Sequence, residues 1–385
     1  MSASRSTAGG LKKVTSMQAS SPLRLLTRIA FRITAGIFLC SFAFPAIAQQ
    51  GVPLPPGAAS SQYPPPAAGR TVTLDVVAAD RSGKLVSGLG QPDFTVLDNK
   101  QPQKLLSFRA IDQTSSAPPP EVILVVDAVN ANFITVSYER NQIVKFLGQN
   151  GGKLAQPVSL VFFADTKTSM QNTPTTDGNS LIAAFDKNVS GLRSITRSEG
   201  YWGAVDRLDI SLRALGLLAN YEAARPGRKL VIWVSPGWAY LSGPRMELTN
   251  TEQRHLFNSI VGMSTVLRAA RITLYNVDPL GTADAGGFRT FYYQSFLKGV
   301  KSPNQVQVGN LALQVLATQS GGMVLNSSND IAAEITRCTA DASSYYELSF
   351  DPPPADGPDD YRSIEVKIGK PGLTARTRTG YYAQP

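Results

Sequence analysis

Four polar side chains that directly follow apolar segments could bind a metal ion. They are Asp127, Asn130, Asp165 and Asp278. The carboxyl ends of parallel strands meet at one edge of a sheet, where these side chains could come together. Mg²⁺, Ca²⁺ and Mn²⁺ prefer oxygen ligands. Asp and Asn also cap loops and helices by accepting backbone N–H bonds, and we favour this second interpretation.

Ser235 follows an apolar segment and precedes a Pro-Gly pair, an arrangement faintly similar to the nucleophile turn of hydrolases. That turn requires a glycine at the position of Trp233. These enzymes also need an acid and then a histidine after the serine. Glu247 and Glu252 are the only carboxylates between Ser235 and the single histidine, His255. Hydrolysis is therefore the function that we favour least.

The sequence has few residues that could bind zinc and lacks the common nucleotide-binding motifs. Cys40 lies in an N-terminal segment that we expect to be removed, so the mature chain would keep one histidine and one cysteine, Cys338, which cannot build a zinc site. No glycine-rich loop follows residues 122–126, and no Gly-Lys-Ser or Gly-Lys-Thr sequence occurs, which excludes the common nucleotide-binding loops. Cys338 shares the apolar face of a late helix with Ile331 and Ile335, which indicates a core residue. We expect no cofactor.

Aromatic side chains mark two candidate contact regions. Trp238 and Tyr240 occupy a loop after an apolar segment, where aromatic side chains can anchor a partner. Trp233 lies inside that segment and is expected in the core. Residues 281–303 contain five aromatic side chains, too many for an ordinary solvated loop. This segment either packs back as a lid or presents a binding surface.

Short apolar runs alternate with longer stretches of helical periodicity between residues 121 and 342, which predicts parallel strands buried on both faces by crossover helices. One helix has the capping-box sequence Thr249-x-x-Glu252 at its start. Others are expected around residues 205–218 and 304–320. The expected fold is α/β, a doubly wound, mostly parallel sheet. The apolar runs are residues 122–126, 158–163, 230–234, 272–277 and 323–325.

Small β elements are expected before and after this domain. Residues 70–112 alternate apolar and polar side chains around a turn at 81–84, and residues 343–385 show the same alternation.

The N-terminal segment resembles an export signal. Residues 1–48 carry six of the nine net positive charges, then an apolar run and a small-x-small pattern ending at Ala48, which predicts a cleaved signal peptide. An uncleaved membrane anchor is the alternative. The proline-rich, uncharged residues 49–69 predict an extended linker. The remaining charge is too small to indicate nucleic-acid binding.

Seven short motifs, taken in order, resemble the acidobacterial-type von Willebrand factor A-related exported proteins. Each motif alone is weak, and the resemblance depends on their order from about residue 71 to the end. It implies a von Willebrand factor A-like domain over residues 121–342, with flanking β elements. The motifs are residues 92–96, 126–130, 226–235, 274–278, 320–322, 345–348 and 378–382.

The resemblance also implies a metal site that has lost most of its ligands. Von Willebrand factor A domains hold a divalent cation with an Asp-x-Ser-x-Ser loop, a threonine and a further aspartate. Asp127 matches the first aspartate, but Val129 and Ala131 replace the serines. Residues 199–202 contain no threonine and residues 235–237 no aspartate. Asp127 and Asn130 are what remains, and we expect no functional binding of Mg²⁺, Ca²⁺ or Mn²⁺.

The expected function is that of an exported, non-catalytic interaction or adhesion module in the periplasm, on the cell surface or in the medium. Its partner would be a protein or glycan outside the cytoplasm, with membrane contact only through the signal segment. An envelope scaffold or self-associating structural protein is the alternative. The candidate ligand-contacting residues at the rim are Asp165, Ser235, Trp238, Tyr240 and Asp278.

Overall fold

The computed structural model describes residues 71–385, apart from 113–114, 116, 165–167, 172, 190–200, 239–247 and 282–291. The expected signal peptide (1–48) and linker (49–69) lie outside the described residues, as do Asp165 and Tyr240. All described residues belong to one compact unit. None of the helices within it has the length and apolarity needed to cross a bilayer.

The described elements alternate between strands and helices from residue 121 to residue 342. In chain order the strands are β1 (Val72–Asp80), β2 (Phe94–Asp98), β3 (Gln101–Gln103), β4 (Leu105–Ile111), β5 (Glu121–Asp127), β6 (Lys153–Phe163), β7 (Thr168–Met170), β8 (Thr175–Asp177), β9 (Lys229–Val234), β10 (Ile272–Val277), β11 (Val324–Leu325), β12 (Tyr345–Phe350), β13 (Asp360–Ile368), β14 (Leu373–Arg376) and β15 (Gly380–Ala383). The α-helices are α1 (Phe133–Leu147), α2 (Gly178–Val189), α3 (Tyr201–Ala223), α4 (Asn250–Ala269), α5 (Leu313–Gln319) and α6 (Ile331–Ala340).

The central sheet has the order β11-β10-β9-β5-β6-β7, with β8 also paired to β6. Strands β11, β10, β9, β5 and β6 are parallel, and β7 and β8 run antiparallel to β6. All five apolar runs of the sequence form these parallel strands. From β5 the chain moves to β6 on one side and later to β9 on the other, so the winding direction reverses between β5 and β9.

Helices cover both faces of the central sheet. Ile123 and Val125 of β5 pack with residues of α3, α4 and α5, whereas Val122 and Leu124 pack with residues of α1, α2 and α6. The alternation follows from the period of two residues in a strand. The fold is therefore mixed α/β, with a mostly parallel sheet between two layers of helices.

The β segments before and after the α/β region pair with each other. One sheet has the order β14-β1-β12-β4 and another the order β15-β13-β2-β3. The two sheets share one apolar core, which includes Leu74, Val96, Leu348 and Val366. A few short strands rarely bury enough surface alone, so residues 70–112 and 343–385 complete each other.

Arg271 ties these sheets to the α/β region. It follows α4 with a positive φ of 53°, and its guanidinium donates to the carboxylates of Asp75 in β1 and Glu347 in β12. Arg109 of β4 also donates to Glu347 at 2.9 Å. The turn between α4 and β10 is thus fastened to two strands of the first β sheet.

The N-terminal cap of α4 gives a direct test of how the sequence starts this helix. Thr249 Oγ1 accepts from the Glu252 amide at 3.3 Å, and Glu252 Oε2 accepts from the Thr249 amide at 2.7 Å. We expect Thr249→Ala to lower the free energy of unfolding by about 1 kcal/mol in urea denaturation, because the Glu252 amide loses its acceptor and the Glu252 carboxylate loses the Thr249 hydroxyl as a donor. The control is Thr251→Ala, an exposed position in the same turn. Equal losses in both variants would contradict the assignment.

Candidate functional site

Asp127 is the last residue of β5 and lies where the winding direction of the sheet reverses. Ligands of doubly wound sheets bind at this point, because loops leave neighbouring strands toward opposite faces. Asp127 is nevertheless fully buried.

Both oxygens of the Asp127 carboxylate are occupied by hydrogen bonds within the protein. Oδ1 accepts from the amides of Val129 and Asn130, each at 2.9 Å. Oδ2 accepts from Asn130 Nδ2 and from Trp233 Nε1, also at 2.9 Å each. A carboxylate offers about four lone-pair positions, so the protein itself fills them all.

The charge of Asp127 is held by uncharged donors. Burial raises the pKa of its carboxyl above the usual value, and the hydrogen bonds from Asn130, Trp233 and Ser235 oppose this rise only in part. Asn130 Nδ2 also donates to Ser211 Oγ in α3 at 2.9 Å. The same amide therefore joins the loop after β5 to a helix, instead of facing a ligand.

Ser235 and Trp238 are core residues in the structure. Ser235 is fully buried, and its hydroxyl accepts from the Gly237 amide at 3.1 Å. The Trp238 ring packs edge-on against Trp233, with 5.4 Å between ring centroids. Gly237 has a φ of +96°, and a Cβ there would lie 2.2 Å from the Gln314 side chain. Neither Ser235 nor Trp238 offers surface to a ligand.

Asp278 caps the loop that follows β10. Its Oδ1 accepts from the Leu280 amide at 2.9 Å, and its own amide donates to the Leu325 carbonyl at 2.8 Å. The side chain is buried. Like Asp127, it accepts a bond from the loop that follows its strand.

Glu139 of α1 is a buried acid that the sequence analysis missed. Both carboxyl oxygens are buried and have no hydrogen-bond partner among the described residues. Burial raises the pKa of Glu139 well above its usual value, and the charges of Asp127 and Asp278 raise it further. Burial and the two neighbouring carboxyl groups thus favour the protonated, uncharged form of this side chain. The sequence did contain a signal for this burial, because Glu139 has helical spacing from Val136 and Ile143 on the buried face of α1.

The first turns of α1 expose large apolar side chains next to the Asp127 loop. Phe133 is 69% exposed and Ile134 is 80% exposed. The hydroxyl of Tyr138, one turn later, donates to the carbonyl of Asn329. Asn132 caps this helix by accepting from the Thr135 amide at 2.8 Å, so the helix starts where the loop after β5 ends. We call Phe133 and Ile134 the α1 patch.

Other side chains that could react or bind a metal lie away from this region. His255 is exposed on α4. Cys338 is fully buried with Ile331 and Ile335, as its helical spacing predicts, and burial raises the pKa of its thiol. Across the described ranges, no group of three or more His, Cys, Asp or Glu side chains is placed to hold one metal ion. Residues 199 and 200, in the segment without a threonine, lie outside the described residues.

The aromatic segment of residues 281–303 packs back onto the protein where the structure describes it. Phe296 is buried against Ala312 and Val315, with Tyr292 and Tyr293 beside it. Residues 282–291 lie outside the described ranges.

No family model matches the sequence, and no curated protein matches it. Among solved structures, the pilus adhesin SpaC from Lactobacillus rhamnosus GG aligns with 11% identity and a TM-score of 0.35, over 75% of this chain and 49% of the adhesin. This chain thus spans about half the length of that adhesin.

Two further solved structures align at a similar level. Manganese-loaded Plasmodium vivax TRAP aligns with 9% identity and a TM-score of 0.33, over 71% of this chain and 96% of TRAP. A PilB minor pilin variant from Streptococcus sanguinis aligns with 13% identity and a TM-score of 0.30, over 60% of this chain and 62% of the pilin. Likenesses at this level establish neither a shared fold nor a shared function.

The buried Glu139 predicts a specific dependence of stability on pH. Its pKa is higher in the folded state than in the unfolded chain, so folding is favoured most below the unfolded pKa of about 4.5 and loses stability as pH rises through the folded pKa. We expect Glu139→Gln to remove this loss. Between two pH values the parent should lose about 1.4 kcal/mol for each unit of the folded-state pKa shift that lies between them, and the variant should not show this loss.

Urea denaturation at pH 5 and pH 8 measures this effect. Glu365→Gln is the control, because that glutamate is exposed in β13. An unchanged pH dependence in Glu139→Gln would show that Glu139 is ionised in the folded protein.

Proposed function

We propose that this chain is an exported, non-catalytic protein-interaction module with a von Willebrand factor A-like core, whose metal site has been replaced by internal hydrogen bonds. The single observation that carries the proposal is the Asp127 carboxylate, whose two oxygens accept four hydrogen bonds from uncharged donors of the protein. A cation could bind there only if several of these bonds were broken.

The architecture supports a von Willebrand factor A-like core. The family resemblance implies a central sheet flanked by helices, with the first aspartate at the end of the first buried strand. Asp127 ends β5, the first strand of the central sheet along the chain, and helices pack on both faces of that sheet. Export rests on the sequence of residues 1–48 alone.

The α1 patch supports binding to a protein. Phe133 and Ile134 are 69% and 80% exposed at the edge of the sheet where ligands of such folds bind. Exposed aromatic and aliphatic side chains at such an edge are typical anchors of protein interfaces. A protein partner is favoured over a glycan, because neither side chain can donate or accept a hydrogen bond.

Non-catalytic action is supported by the burial of the reactive groups. Ser235 is fully buried, and its hydroxyl already accepts from the Gly237 amide. Cys338 is buried with a raised pKa, which disfavours the nucleophilic thiolate.

A metal titration tests the first half of the proposal. Calorimetry with Mg²⁺, Ca²⁺ and Mn²⁺ should show no binding at micromolar concentrations, and the melting temperature should be the same with and without a chelator. Asp127→Asn is the matched variant, because it keeps the shape but removes two acceptor positions. Micromolar binding to the parent that disappears in Asp127→Asn would overturn the proposed loss of the metal site.

Cross-linking in the native cell envelope, followed by mass spectrometry, tests the second half. The parent should give cross-links to a protein partner, and Phe133→Ser combined with Ile134→Ser should reduce them at least about tenfold, since central apolar contacts carry most of the binding energy. The control replaces Leu217 and Tyr221, which are 57% and 46% exposed on α3 against the other face of the sheet. This control should keep the cross-links.

Two outcomes would contradict the proposal. Equal yields of cross-links from the α1-patch variant and the α3 control would show that the partner does not bind through the α1 patch. Cross-links only between copies of this chain, together with self-association that rises with concentration, would favour the alternative of a structural scaffold.

A further inference from the structure

Arg378 is a buried cation without an acid partner. It lies between β14 and β15, and only 8% of the residue is exposed. No hydrogen bond or ion pair links its guanidinium to any residue in the described ranges. Its neighbour Arg376 shows the contrast, since that side chain binds the carboxylate of Asp341 and the carbonyl of Gly321.

A second cation lies beside it. Arg268 of α4 has no acid partner among the described residues, and its guanidinium lies 5.7 Å from the centre of the Tyr381 ring. Burial and the charge of Arg268 lower the pKa of Arg378 to about 10. The nearby acid is Asp75, which already accepts from Arg271. Both cations therefore lie in a region whose acid, Asp75, is already paired with Arg271.

Arg378 is one of the residues that line a small cavity. The cavity lies between α4, α5 and strands β13 and β15 and has a volume of about 20 Å³. Its wall is mostly apolar, and its polar lining residues are Ser264, Gln319, Ser320, Arg378 and Thr379. That volume holds one water-sized occupant. The segment around Arg378 is fixed in place, since the Thr379 amide donates to the Gln319 carbonyl at 3.1 Å.

The lining residues include groups that can donate hydrogen bonds. The Thr379 hydroxyl is buried without a hydrogen-bond partner among the described residues, and the Arg378 guanidinium carries five N–H groups and no acceptor. A water molecule could accept from these groups but would bring no negative charge. An occupant that only accepts hydrogen bonds satisfies the existing donors and compensates the buried positive charge.

We propose that the cavity beside Arg378 is a binding site for a small inorganic anion of the size of chloride. The volume favours a monatomic anion, because sulfate or phosphate would need room for four oxygens around the central atom. The bound anion would join α4 to the segment between β14 and β15. It would thus stabilise the junction between the α/β region and the flanking β sheets.

Urea denaturation of the full chain in sodium chloride and in sodium gluconate, at equal ionic strength, tests the proposal. Urea is required because guanidinium chloride would supply the anion. Once the site is mostly occupied, each tenfold rise in chloride should raise the ratio of folded to unfolded protein about tenfold. Arg378→Met should abolish this response, whereas Arg337→Met, which removes an exposed arginine of α6, should keep it.

Broadening of the chloride-35 NMR signal gives a second, direct measurement on the folded parent. The signal should broaden with parent protein and sharpen when bromide is added, and Arg378→Lys, which keeps a positive charge, should retain part of the broadening if Arg378→Met does not fold. Equal stability in chloride and gluconate without line broadening would overturn the proposal. A chloride response that persists in Arg378→Met would also overturn it, and a response to sulfate alone would refute the size assignment.

Discussion

A carboxylate buried inside a protein needs compensation for its lost hydration, and Asp127 obtains it from four uncharged N–H donors. These donors come from the loop directly after β5 and from Trp233 in β9, so the bonds fix both the loop and the spacing of two neighbouring strands. Trp233 in turn packs against Trp238 and Phe163. The structure around the reversal of the sheet thus depends on the hydrogen bonds of one buried acid.

The hydrogen bonds of Asp127 also determine where α1 begins, and this position matters for function. The loop folded over Asp127 ends at Asn132, whose side chain caps the helix, and the first helical residues are the exposed Phe133 and Ile134. A rim built on an ion would attract a carboxylate of its partner, whereas this rim presents apolar surface. Glu139 fits the same picture, because burial and the charges of Asp127 and Asp278 raise its pKa and so disfavour a further negative charge beside them.

The flanking β sheets depend on a different balance of charge. Arg271 lies between the α/β region and the carboxylates of Asp75 and Glu347, and these pairs are well formed. Arg378, which is buried, and Arg268, which is half-buried, lie near the same junction without an acid partner among the described residues. An anion bound there would balance their positive charge.

The sequence by itself determined the elements whose pattern is local. All five parallel strands, the helices α3, α4 and α6, and the capping box of Thr249 and Glu252 follow from periods of two or 3.6 residues and from short-range capping rules. It also showed that Val129 and Ala131 cannot serve as metal ligands. The helix α1 escaped this reasoning because Phe133 and Ile134 are apolar but exposed, which blurs its amphipathic pattern.

Only the tertiary structure decided which groups meet. Trp233 is 106 residues away from the carboxylate to which it donates, and β1 pairs with β12 across most of the chain. The burial of Trp238 is likewise set by residues distant in sequence, and so is the absence of a hydrogen-bond partner for Glu139 and of an ion-pair partner for Arg378 among the described residues. Periodicity reports which face of an element is buried, but hydrogen bonds and charge pairing depend on partners that no local pattern specifies.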